Sequence, residues 1–189
     1  QYTVTSLYSR DGTYSTGQVI DHMNAGVHIV NFDGHGNHTC CPLDRSQVDA
    51  LTNTDYYLFY NLGCLTAAFD QATSGDGEAV AEHYVYTAHG AFAYIGNTRY
   101  GWYSPGSTNG PGNQLDRLFF TYINDTPGHH IGQALQLAKD DYYPGHRWSL
   151  LTLSLFGDPE TPLVPEHSTP VANITEPLGG DTVKELLDL

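Results

Sequence analysis

Positive charge is scarce in this chain: 7 Lys plus Arg stand against 21 Asp plus Glu, a formal net charge of -14. Such a surface repels polyanions, which argues against nucleic acid and anionic membranes as partners. No apolar run approaches the roughly 18 residues of a membrane-spanning helix, so no membrane span is expected. Cysteine is also sparse, with Cys40, Cys41 and Cys64 alone, an odd number that cannot all pair within the chain. Adjacent cysteines bridge each other only with strain, so Cys40 and Cys41 are poor evidence for a disulfide, and at least one of the three is free or bonded elsewhere. A serine-hydrolase elbow, a phosphate-binding loop and a dinucleotide fingerprint are missing too.

What remains is a chain of 189 residues, the size of one ordinary domain with a real core. It opens in strand-like alternation, "QYTVTSLYSR", with no Met and no polar lead-in, and is expected to be cut from a longer polypeptide. Few lysines, 14 tyrosines and a Pro-rich tail resemble extracellular proteins. Glycosylation sequons at Asn37, Asn124 and Asn173 are compatible with that, and a secreted or cell-surface location is expected.

Residues 2–8 alternate like a strand, and 16–25 space their apolar positions like a short helix ended by Gly26. "VHIVNF" at 27–32, "YYLFYNLGC" at 56–64 and "GAFAYIG" at 90–96 read as buried strands. A short polar segment with Leu43, Val48 and Leu51 and a helix over 78–88 separate them, and three helical stretches follow at 112–123, 129–141 and 146–156. Strand and helix in alternation predict a mostly parallel sheet covered on both faces. From Pro159 to Pro177 prolines punctuate the chain. The expected division is therefore a catalytic domain over 1–158 and, over 159–189, a linker leading into the start of a small all-β, immunoglobulin-like module.

In a parallel sheet, functional groups gather at the carboxyl ends of the strands. That rule selects His35, just after the first buried strand, and Cys64, at the end of the second, and a right-handed crossover makes those strands neighbours. A thiol and an imidazole at one edge suit a cysteine peptidase, in which the thiolate attacks and the imidazole protonates the leaving amine. Gly36 lets the backbone approach a substrate carbonyl, and its N–H with that of Cys64 is expected to form the oxyanion hole. Gly34 and Gly63 allow sharp turns.

The segments "NFDGHGN", "YNLGC", "AYIGNTRYGWYSPGS" and "LFGDPETPL" resemble, in that order, four marks of the gingipain family of cysteine peptidases, of the caspase-like clan. The likeness runs from about residue 2 to about residue 165. It implies a caspase-like α/β sandwich of which this chain is the C-terminal portion, with His35 as catalytic histidine, Cys64 as nucleophile and Gly36 in the oxyanion hole. It also implies that Trp102 lines the pocket for the residue before the scissile bond. Arg99, Tyr100 and Tyr103 flank it and are expected to help shape that pocket, packing at the sheet edge being the alternative for the tyrosines. Gly157, Asp158 and Pro159 match a structural turn. The family's His-orienting acid and its pocket acid come from chain well before the His-Gly motif. With 34 residues ahead of His35, both are expected on a missing N-terminal part, as a separate chain or a processed segment. Asp33 lies near His35 but is not taken as a triad member.

The resulting expectation is an endopeptidase acting on proteins or peptides, with the negative charge favouring basic residues before the scissile bond. Two other readings compete: a zinc site from His35, His38, Cys40 and Cys41, and a non-catalytic binding module descended from a peptidase. No cofactor is required, although Asp70, Asp76 and Glu78 in an acidic loop offer ligands for a structural calcium ion.

Overall fold

The computed structural model describes residues 3–70, 77–125 and 130–163. Its centre is a four-stranded sheet in the order β1–β2–β3–β4, formed by Ile29–Phe32, Tyr57–Asn61, Ala91–Asn97 and Leu153–Gly157. β1, β2 and β3 run parallel, while β4 runs antiparallel to β3. Every residue of β2 is buried, as its unbroken apolar text "YLFY" requires of a strand covered on both faces.

Among the described residues six α-helices flank the sheet: α1 (Thr16–Asn24), α2 (Arg45–Asp49), α3 (Val80–Tyr86), α4 (Pro111–Asp125), α5 (Ile131–Tyr142) and α6 (Arg147–Thr152). Local sequence starts the early ones. Ser15 accepts from the Gln18 N–H at 3.2 Å at the head of α1. Asp44 and Gln47 cap α2 reciprocally. On one face of the sheet, Val19, Met23, Val48, Val80 and Tyr84 pack over Tyr57, Phe59 and Tyr94. On the other, Leu115, Phe119 and Ile123 of α4 and Ile131, Ala134, Leu135 and Ala138 of α5 cover Leu58, Tyr60, Ala93 and Ile95. Both helices bury the positions that three- and four-residue spacing puts on one side.

Three expectations are corrected. Residues 3–8 form no strand: Leu7 packs half-buried on the core while Val4 stays 80% exposed, so their alternation is met by one-sided packing without a partner strand. The helix expected over 146–156 stops at Thr152, and its second half is β4. The run "SLLTLSLF" fits either period, and the open flank of β3 decides in favour of the strand. The run 27–32, read as a buried strand, gives β1, which among the described residues is the edge of the sheet, paired with β2 alone and half-buried, with Asn31 exposed. At the start of the expected linker, Pro159 O and Thr161 O accept from the Gly132 and Ile131 amides at 2.9 and 3.0 Å and hold residues 159–163 on the start of α5. The immunoglobulin-like module expected further on lies outside the described residues.

The "GDP" turn has the structural character expected of it. Gly157 adopts φ +131°, and Asp158 Oδ1 accepts from the Glu160 N–H at 3.0 Å. Among the described residues, no helix is long and apolar enough to cross a membrane.

Candidate active site

The parallel pairing of β1 with β2 sets the site. Phe32 is opposite Asn61, and the Leu62 N–H donates to Phe32 O at 2.9 Å. From this matched pair each chain takes three further steps, one to His35 and the other to Cys64. The two side chains therefore leave the sheet at the same edge and in step, His35 exposed and Cys64 half-buried.

The loops that carry them then converge. A β-carbon on Gly36 would stand 2.8 Å from Cys41 Sγ and 2.8 Å from Thr66 Cγ2; one on Gly63 would stand 2.6 Å from the same sulfur and 2.9 Å from Asn61 Oδ1. Glycine is required at both places because the loops close over one buried thiol. Among the described residues, neither the Gly36 nor the Cys64 amide donates a hydrogen bond to the protein.

A third segment, the strap after β3, completes the rim. Gly101 lies so close to Leu62 O that a β-carbon would meet it at 2.4 Å, and its own carbonyl is 3.7 Å from Cys64 Sγ. The His35 ring meets Tyr103 edge-on, with centroids 6.5 Å apart. Cys64, Tyr100, Gly101, Trp102, Tyr103 and Pro105 line a shallow depression. Trp102 leans on His146 at a centroid distance of 4.9 Å.

The turn that presents Cys64 is strained and braced. Leu65 has φ +61°, a left-handed conformation that a branched side chain adopts only when its surroundings impose it. Its N–H donates to Arg99 O at 2.8 Å, and the Ala67 N–H to Asn97 O at 3.1 Å. The buried Asn97 amide donates to the carbonyls of Leu62 and Gly63 at 3.1 and 3.3 Å. Asn61 and Asn97, both essential to this bracing, were not singled out from the sequence. The available signal was a single amide at the end of each otherwise apolar or aromatic strand.

Other candidates are placed differently. Arg99 turns away from the depression to form a two-pronged ion pair with Asp70, at 2.7 and 2.9 Å. Asp33 accepts from Asn113 Nδ2 at 2.8 Å and so faces α4. Glu78 reaches His83 Nε2 at 3.2 Å and the Tyr86 hydroxyl at 3.3 Å; Asp76 lies outside the described residues. The zinc quartet does not form: among the described residues no three His, Cys, Asp or Glu side chains stand close enough to hold a metal ion. The reason is visible in Cys41, which is 1% exposed and bonds to Asn61 beneath the loops.

Comparison with known proteins identifies the fold and the family. Over 81 residues the chain is 38% identical to Lys-gingipain W83 of Porphyromonas gingivalis, a match covering 41% of this chain and 4% of that protein. The fold superimposes on the Arg-specific cysteine proteinase gingipain R with a TM-score of 0.64 at 20% identity, covering 79% of this chain and 36% of that one. It matches the complex of Porphyromonas gingivalis gingipain pro- and mature domains with a TM-score of 0.63 at 19% identity, covering 78% of this chain and 36% of that one. The chain thus spans about a third of the solved chains it resembles, and those likenesses establish a caspase-like fold. The profile of peptidase family C25 matches residues 1–164, and the chain accordingly belongs to that family, the gingipain family of cysteine peptidases.

Proposed function

We propose that the chain carries the nucleophile side of a cysteine endopeptidase site, with Cys64 as nucleophile and His35 as acid and base. The observation that carries the reading is the in-step exit of the two residues from paired strands into loops that close on one sulfur. In the first half-reaction the Cys64 thiolate bonds to the peptide carbonyl carbon, and the carbonyl electrons move to oxygen. The Gly36 and Cys64 amides receive that charge, each donor contributing about 3 kcal/mol in comparable sites. Collapse breaks the C–N bond while the His35 imidazolium gives its proton to the leaving amine. Water, deprotonated by His35, then attacks the thioester and releases the acid and the thiol. This chemistry requires no cofactor.

The pocket for the residue before the scissile bond is assigned to the depression beside Cys64, with Trp102 and Tyr103 as walls. Aromatic faces attract cations, and with a net charge of -14 this favours Arg or Lys. The acid that orients His35 and the pocket acid are assigned to a further N-terminal portion of the catalytic domain, and the location to the cell surface or outside. Asp70, Asp76 and Glu78 are retained as ligands of a structural calcium ion, to be tested by the melting shift on adding calcium.

The deciding experiment is intact mass after brief exposure to acyloxymethyl ketones bearing Arg, Lys, Asp or Asn, with Cys64→Ala alongside. One adduct that requires Cys64 and prefers a basic side chain is expected. Absence of labelling, with the N-terminal portion of the domain supplied as well, would leave the non-catalytic binding module as the better reading.

A further inference from the structure

Asn61 ends β2 and is fully buried. A buried amide is costly unless both of its ends are bonded, and the partners of this one are informative. Its Oδ1 accepts from the Gly63 N–H at 2.7 Å and from Cys41 Sγ at 3.3 Å; its Nδ2 donates to Cys41 O at 3.2 Å. Cys41 Sγ is also 3.5 Å from His35 O. Burial pushes the Cys41 thiol up to about 12, so it keeps its proton and remains a donor at physiological pH.

These contacts connect the backbone of His35, through one thiol and one amide, to the N–H of the residue before Cys64. The register of β1 on β2 fixes where the two strands end. The freedom left is the path of each loop beyond Phe32 and Asn61, and Asn61 touches both loops. We propose that Asn61, with the Cys41 thiol as its intermediary, is a positioning residue that sets the separation of His35 and Cys64. The inference rests on the cysteine-peptidase reading above and adds a residue to it that contacts no substrate. A displacement of about 1 Å at reacting groups costs about a hundredfold in rate, so even a small relaxation of this link is measurable.

The test is the rate of Cys64 alkylation by iodoacetamide from about pH 5 to about pH 9, read by peptide mass mapping in the full chain. Wild type is compared with His35→Ala, Asn61→Ala, Cys41→Ala and Cys41→Ser, each checked by near-ultraviolet circular dichroism. In wild type, reactivity at acid pH should depend on His35, because only a nearby imidazolium maintains the thiolate there. Asn61→Ala and Cys41→Ala should lose that acid-side reactivity by about tenfold or more, whereas Cys41→Ser, which keeps a donor, should stay within about threefold of wild type. Folded Asn61→Ala protein with the wild-type profile would overturn the proposal. If Asn61→Ala does not fold, Cys41→Ala decides, and a profile equal to that of Cys41→Ser would overturn it. A wild-type profile indifferent to His35→Ala would overturn the dyad itself, and this inference with it.

Discussion

Gly36 and Gly63, one in the loop after β1 and the other in the turn after β2, rest on the same atom, the sulfur of Cys41. Either would drive a β-carbon to within 2.8 Å or 2.6 Å of it. Since a cysteine beneath two glycines is what lets the loops bearing His35 and Cys64 close together, the fit should respond to volume.

Gly63→Ala should therefore destabilise the fold by about 1–3 kcal/mol, the usual cost of forcing atoms into a packed site. Truncating the sulfur as well, in Gly63→Ala with Cys41→Ala, should cost less than the sum of the two single changes. Urea unfolding of the four proteins gives the comparison; strict additivity would show that the glycine answers to some other neighbour.

Cys64→Ala and His35→Ala should both abolish labelling by substrate-like ketones while leaving the melting temperature nearly unchanged. His35 is exposed and Cys64 half-buried, its sulfur in a long contact of 3.7 Å with Gly101 O. A surviving adduct in Cys64→Ala would move the nucleophile elsewhere.

Trp102→Ala should weaken reversible binding of Arg- or Lys-bearing ketones by about tenfold, the scale of one cation–π contact, without slowing the bond-forming step at saturation. The ring is 44% exposed, so stability should change little. The ratio of inactivation constants separates the two effects, and a loss confined to the bond-forming step would remove Trp102 from the pocket wall.

The acid-base behaviour of the fold should carry the signature of Asp116. Desolvation raises its carboxyl from 3.8 to about 6; the Asn31 hydrogen bond opposes this, Asp33 adds repulsion and Arg117 opposes it again. Because the folded value exceeds the unfolded one, its contribution to stability is complete below about pH 4 and is lost as pH rises through about 6. A rise of that size corresponds to about 3 kcal/mol at most, and partial solvent access reduces the expectation to about 1–2 kcal/mol. Asp116→Asn should thus stabilise the protein by that amount at pH 8 and be nearly neutral at pH 4, as urea midpoints would show. Equal effects at the two pH values would mean that the carboxylate is better solvated than its packing implies.

The text of the chain was informative where chemistry depends on residue type at a strand end. Cys64 follows a buried apolar run and His35 a half-buried one, and the glycines around them mark close approach. β2 and β3 were legible as buried strands because a strand covered on both faces carries almost no polar residue, whereas β1, also read as buried, is half-buried and exposes Asn31. The ambiguity came where an apolar run suits two periods, as at Leu153–Gly157, or where alternation has nothing to pair with, as before Tyr8. Arg99 misled for another reason: its neighbours in sequence form the strap, but its long side chain reaches Asp70, a partner that only folding brings near.

By itself, then, the sequence determined the layered α/β architecture, through local periodicity, and the family, through four ordered motifs; the residue types at two strand ends supplied the side chains proposed for the chemistry. The tertiary structure alone decided how the site is held. That Asn61, Cys41 and Asn97 bind the backbones of the loops bearing His35 and Cys64 depends on contacts between segments distant in the chain. A buried hydrogen bond depends on where its partner lies in space, and no local pattern of residues records that.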